Sequence, residues 1–191
     1  MELIIFKWSW CPDGYELRDK LIIPKSDHVI LEDPTRYNLS VFRNFVDAAG
    51  SADAAIQFSN QFGLLLNGAT MSLAEWKKHH KAMVHAWRSG QAGDWVGLQI
   101  SINEPEHGVL KAGISSDPDD FADMRLVLEP ANLLQFMWVE MALTTMNHVG
   151  LRACDWCGAW FPYGRGTNRR ETARFCSDKC RKANHLKVRE A

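Results

Sequence analysis

Four of the five cysteines in this 191-residue chain fall near one end, as Cys154-x2-Cys157 and, after eighteen residues, Cys176-x3-Cys180. Structural zinc takes four thiolate or imidazole ligands in a tetrahedron, with sulfur at about 2.3 Å. A C-x2-C turn delivers two sulfurs to one point, and Gly158 directly after Cys157 suits such a knuckle because glycine adopts positive φ without strain. Cys176 and Cys180 stand at i and i+4, on one face of a helix, and Ser177-Asp178 are good acceptors for that helix's first free amides. The spacing predicts a zinc-binding treble clef: a knuckle, a hairpin turning near Gly164-Arg165-Gly166, and a helix supplying the remaining ligands. A disulfide framework and a redox C-x-x-C are the competing chemistries. The chain shows no signal peptide and its cysteines gather at one end rather than stapling the whole, which fits a reducing cytoplasm. A thioredoxin-type motif would need a surrounding βαβ pattern, which is absent. Cys11, in Trp8-Ser9-Trp10-Cys11-Pro12, has no second cysteine within reach and reads as a buried or half-buried free thiol.

The cysteine-rich end is also the basic end. Residues 150–191 hold 10 Lys and Arg against 4 Asp and Glu, while residues 1–149 hold 12 against 19, within a formal net charge of −1. Such an asymmetry suggests an anionic partner for the tip. Arg165, Arg169, Arg170 and Arg174 fall on the hairpin and the loop that follows it, and Lys179, Arg181, Lys182, Lys187 and Arg189 on the helix. A helix so charged could sit on the phosphates of DNA or RNA, with Asn184 or an arginine reaching base edges. The plainer reading is a small finger with a polar surface, and treble clefs also serve as protein-interaction modules. Trp156, Trp160, Phe161 and Phe175 are expected to form the finger's own core and its contact with the body. A His–metal nuclease would need a histidine on the hairpin, and residues 158–175 contain none, although His185 could fill the helical role. With no Gly-rich phosphate loop, no Gly-x-Ser-x-Gly and no HExxH, no catalysis is expected.

The rest of the chain must hold this tip. Composition is that of a soluble globular protein, 46% hydrophobic and 24% charged, with no apolar run approaching the ~20 residues of a membrane span. Met1–Trp10 reads as a first strand, and Leu21–Pro24 and His28–Leu31 as further short apolar stretches. A helix begins at Ser40, with Val41, Phe42, Phe45 and Val46 in one stripe. A second begins at Ser51, with Ala54, Ala55, Phe58 and Phe62 on its face, and is stopped by Gly63 and Asn67-Gly68. Thr70 to about Ser89 is a longer helix with Trp76, His80, Met83, Val84 and Trp87 on a common face; His80 packs in the core while His79 and His85 face solvent. Trp95–Ile102, Gly108–Ile114 and Met124–Leu128 read as an antiparallel meander with a solvated acidic turn at Asp117-Pro118-Asp119-Asp120. Pro130–Asn147 is a helix, with Pro130 in its first turn and Leu133, Leu134, Met137, Trp138, Met141, Ala142 and Met146 in a buried stripe. Val149-Gly150-Leu151-Arg152 is too short for a flexible linker. The expected organisation is an α+β body over residues 1–149, with helices and antiparallel sheet, rigidly presenting a four-cysteine finger over residues 150–191.

Several of these segments resemble a bacterial family of stress-induced transcription regulators that carry an α+β domain and a C-terminal zinc finger named for its Cys-Gly-Asn-Arg motif. The similarity lies in Phe58-x3-Phe62-Gly63-Leu64-Leu65, in Ala131-Asn132-Leu133-Leu134-Gln135-Phe136-Met137-Trp138, and in Cys154-x2-Cys157-Gly158-x2-Phe161-Pro162 followed by Arg170 and Phe175-Cys176-Ser177. In place of Cys-Gly-Asn-Arg this chain reads Cys180-Arg181-Lys182-Ala183-Asn184-His185, and its second cysteine pair is spaced by three residues instead of four. The resemblance implies Cys154, Cys157, Cys176 and Cys180 as zinc ligands and DNA binding as the role. The resulting expectation is a cytoplasmic zinc-binding transcription regulator. The alternative is a zinc-finger protein-interaction module that binds no nucleic acid. The acidic body could bind a small molecule or pair with a second copy.

Overall fold

The computed structural model describes residues 3–4, 8–32, 40–92, 111–117, 120–146, 149–164, 167 and 169–189. The expected strand over Trp95–Ile102, the start of the next one at Gly108, and Arg165 lie outside them. The chain combines helices with antiparallel sheet and gathers the four C-terminal cysteines into one cluster.

At the centre of the body runs the helix Leu133–Met146, α4. Asn132 caps it, its Oδ1 accepting from the Gln135 N–H at 2.8 Å, so the helix starts later than expected and Pro130 lies buried ahead of it. The correction has a simple cause: an asparagine that accepts a helix's first free amides fixes the start better than a proline that only tolerates it. The buried face takes in the expected broad stripe and extends beyond it. Phe136 and even Gln135 are buried along with Leu133, Leu134, Met137, Trp138 and Met141, as in a helix surrounded by protein. Gln135 is satisfied by accepting from the Ala131 N–H, and the Leu65 carbonyl accepts from the Leu134 N–H at 2.9 Å.

α1 (Val41–Asp47) and α3 (Leu73–Gln91) pack against α4, and α2 (Ala52–Phe62) packs on α1 and α3. Ser51 and Ser72 cap α2 and α3 by accepting from the N–H three residues on. Gly63 ends α2 at φ +93°, and a Cβ there would lie 3.0 Å from the Ser9 carbonyl oxygen and from the Trp8 indole nitrogen, so only glycine fits. Phe45 makes the hub, its ring 4.9 Å from Phe58, 5.1 Å from Trp76 and 5.3 Å from His80. His80 stacks on Trp76 at 5.2 Å, and burial pushes its pKa down. The expectation that its histidine neighbours face solvent holds for His85 but not for His79, which is buried. With 3.6 residues per turn, the face centred on Trp76 and Met83 is wide enough to bury 79 as well as half of 80.

Short strands complete the body. The run expected as one strand over Met1–Trp10 is two, serving different sheets: β1 (Leu3–Ile4) and β2 (Trp8–Trp10). β2 pairs with β5 (Ile30–Glu32), and β3 (Tyr15–Arg18), β4 (Leu21–Pro24) and β6 (Met71–Ser72) form an antiparallel trio. β7 (Lys111–Asp117) and β8 (Asp120–Glu129) form the hairpin expected around the acidic turn, with Asp117 opposite Asp120. β1 joins β8 in parallel, making that sheet mixed rather than a pure meander. Cys11 is fully buried, with its Sγ 3.7 Å from the Ser26 carbonyl oxygen and hydroxyl.

Candidate metal centre

The cysteine cluster is built by one hairpin and one helix. Strands β9 (Gly150–Ala153) and β10 (Trp160–Tyr163) pair antiparallel, and their turn is the Cys154–Cys157 knuckle itself. Gly158 adopts φ +74° and donates its N–H to the Cys154 carbonyl at 2.9 Å, while the Cys154 N–H donates to Ala159. The hairpin was expected further on, at Gly164–Gly166. Arg165 and Gly166 lie outside the described residues; among those described no strand follows β10, and the Thr167 hydroxyl donates to the Gly164 carbonyl at 2.8 Å. The helix α5 (Asp178–Arg189) begins two residues after Cys176. Ser177 caps it, its hydroxyl accepting from the Cys180 N–H at 3.2 Å. Cys180 is therefore in the first turn of α5 and Cys176 lies just ahead of it, not on the helical face expected from the i, i+4 spacing.

All four sulfurs lie within 4.8 Å of one another. The Cys176 Sγ is 3.6 Å from that of Cys157 and 3.5 Å from that of Cys180, against an edge of about 3.8 Å for a tetrahedron with 2.3 Å metal–sulfur arms. The five cysteines are free thiols, and a disulfide would need sulfurs about 2 Å apart. Burial works against a thiolate at Cys154, but the backbone N–H groups of Cys157, Cys176 and Trp156 face its sulfur and hold the pKa down to about 7. Burial and the neighbouring sulfurs push Cys176 far above the ordinary thiol range, and burial raises Cys157. Four sulfurs this close cannot all ionise by themselves, and a divalent cation among them reverses that cost. The donor set, its spacing and its inward amides fit one metal ion.

Around the cluster the chain closes a small core. Phe161 is fully buried, with Tyr163, Ala173 and Phe175 against it. The Arg152 guanidinium stacks 4.5 Å over Tyr163 and donates to the Ala173 carbonyl. Trp160 faces the body instead. Its carbonyl accepts from the Ser40 N–H and from Asn44 Nδ2, its N–H donates to Asn44 Oδ1, and its indole N–H donates to Asp47 at 2.9 Å. Arg43 caps the ring at 4.3 Å. The partner of the hairpin is thus α1, a contact more than 110 residues away in sequence that no local pattern announces. Asn44 is the missed residue: α1 also carries Arg43 and Asp47, so nothing in the sequence singled it out.

Of the proposed nucleic-acid contacts, Arg169 is turned inward, over Phe161 at 4.9 Å and bonded to the Phe175 carbonyl. Arg174 pairs with Asp155 at 2.6 Å and Arg181 with Asp178 at 3.0 Å, all four at the surface. Arg170, Lys179 and Lys182 are exposed and Asn184 is half-buried. Lys187 stands 5.8 Å above the Trp156 ring. Arg189 ends α5, and its side chain lies outside the described part of the structure. Trp156 itself, expected in the finger's core, is 41% exposed: the knuckle turns its inner side to the sulfurs and its outer side to solvent. No helix of the described residues is long and apolar enough to cross a membrane. Compared with protein-family models and with curated proteins, the chain has no match, so the similarity to the stress-induced regulators rests on the segments quoted above.

Proposed function

We propose that the four cysteines hold one structural Zn²⁺ and that the basic finger organised around it binds nucleic acid, the body and finger acting together as a non-catalytic transcription regulator in the cytoplasm. The mutual approach of four sulfurs within 4.8 Å carries the metal part. Four thiolates in a tetrahedron are the preferred set of zinc, with iron the other ion that such a set accepts. The nucleic-acid part is supported by the opposite charges of the two halves and by the exposed cations Arg170, Lys179 and Lys182 around the centre. The ion pairs of Arg174 and Arg181 are exposed and worth about 0–1 kcal/mol each, so phosphates can replace their carboxylates.

The test is fluorescence anisotropy of zinc-loaded protein on labelled genomic DNA fragments, over a series of salt concentrations. Phosphate contacts release counterions, so affinity should fall steeply with salt, with a slope of about 0.9 per contact. The double variant Lys179→Glu, Lys182→Glu should flatten that slope by about 2 while leaving zinc content unchanged. Zinc-loaded protein with no affinity for DNA or RNA at low salt would instead make the finger a protein-interaction module.

A further inference from the structure

Every other described aromatic of the finger has a structural task. Phe161 fills the small core, Phe175 packs against it, Tyr163 lies between Gly150 and Arg152, and Trp160 seals the finger to α1. Trp156 has none of these tasks. It stands on the knuckle between Cys154 and Cys157, 41% exposed, with the Lys187 ammonium 5.8 Å from its ring. The turn that carries this solvent-facing indole is braced, the Cys176 N–H donating to the Cys154 sulfur at 3.3 Å and the Gly158 N–H to the Cys154 carbonyl at 2.9 Å. Resting on the nucleic-acid reading above, we propose that Trp156 is a stacking platform for an unpaired base, and that the finger takes single-stranded nucleic acid in preference to a duplex.

The chemistry follows from the arrangement. Each base has a π face, and stacking on a protein aromatic is sequence-tolerant. In a duplex those faces are covered by neighbouring base pairs, so the Trp156 ring gains nothing; in a single strand one base can rotate onto it. Lys187 beside the ring, Arg174, which reaches the knuckle through Asp155, and Lys179 on the helix are placed to follow the strand's phosphates. The braced turn fixes the root of the side chain, which lowers the entropy lost on binding.

The experiment compares one mixed sequence of about 16 nucleotides as single-stranded DNA, single-stranded RNA and duplex DNA, against wild type, Trp156→Ala, Trp156→Phe and Lys179→Glu/Lys182→Glu, with zinc content measured for each. Wild type should bind the single strands more tightly than the duplex. Trp156→Ala should weaken single-strand binding by about 5- to 150-fold with full zinc, an unchanged salt slope and unchanged duplex affinity; Trp156→Phe should recover most of the loss. Whether DNA or RNA suffers more identifies the natural strand. If Trp156→Ala leaves single-strand affinity intact while the lysine variant abolishes it, the platform is wrong and the electrostatic reading stands. If wild type with full zinc binds none of the three, the nucleic-acid reading itself falls.

Discussion

At the scale of single residues, the cysteines decide whether the finger exists. Because the binding energy of a structural zinc is folding energy, Cys180→Ser should lose the metal and unfold residues 150–191, whereas Cys11→Ser should retain about one zinc per chain; metal analysis and circular dichroism read both. The gathering of the four cysteines was legible because their spacing is local and each residue type has little else to do at that density. Glu140 was not legible. It sits on α4, but its carboxylate accepts from the Phe42 N–H at 2.9 Å across 98 residues of sequence. Burial there raises its pKa to about 7, against 4.5, although the Phe42 and Val41 amides pull the other way. The folded state therefore binds the proton more tightly than the unfolded chain, and Glu140 subtracts stability as pH rises from about 4.5 to 7, by up to about 3 kcal/mol. Glu140→Gln should remove that loss: chemical denaturation of the two proteins should diverge as pH rises through this window, with the variant the more stable at pH 7.5. Parallel pH profiles would show that the carboxylate is not desolvated.

At the scale of elements, the account turns on two contacts of the finger. Gly150 faces Tyr163, and a Cβ on it would come within 2.6 Å of that ring, on which the Arg152 guanidinium stacks. Gly150→Ala should therefore destabilise the hairpin by about 1–3 kcal/mol through overpacking, visible as faster amide exchange in β9 and β10. Asn44→Ala removes both hydrogen bonds to the Trp160 backbone and should cost about 1–3 kcal/mol at the joint, without loss of metal. Trp138, 2% exposed on α4, should cost about 3–5 kcal/mol as alanine. The sequence conveyed these elements unevenly. Helices α1 to α3 were readable from apolar spacing, with Ser51 marking the start of α2, and the apolar stretch Leu21–Pro24 became β4. Start points shifted where a side-chain cap or a short strand overrode the apolar period, at Asn132 and at Met71-Ser72. The split of the first strand into β1 and β2, and the docking of β10 on α1, depend on partners far along the chain, which residue patterns do not encode.

At the scale of the whole molecule, an acidic body holds a basic, cysteine-rich tip through α1 and through the hairpin's own first strand, whose Leu151 packs on the body core. The reading of a rigid presentation rests on that joint rather than on α4 alone. Charge at this scale was plain from composition, but its deployment was not: Arg169 serves the fold, while Trp156, assigned to the core, faces solvent. All of it depends on the cysteine cluster that brings knuckle and helix together and on the ion proposed for it. X-ray absorption at the zinc edge on purified protein, with the zinc content of the same sample, tests this most directly. The account predicts one zinc per chain with four sulfurs at about 2.3 Å. Absence of metal, a first shell with nitrogen or oxygen, or cysteines recovered as disulfides would contradict it.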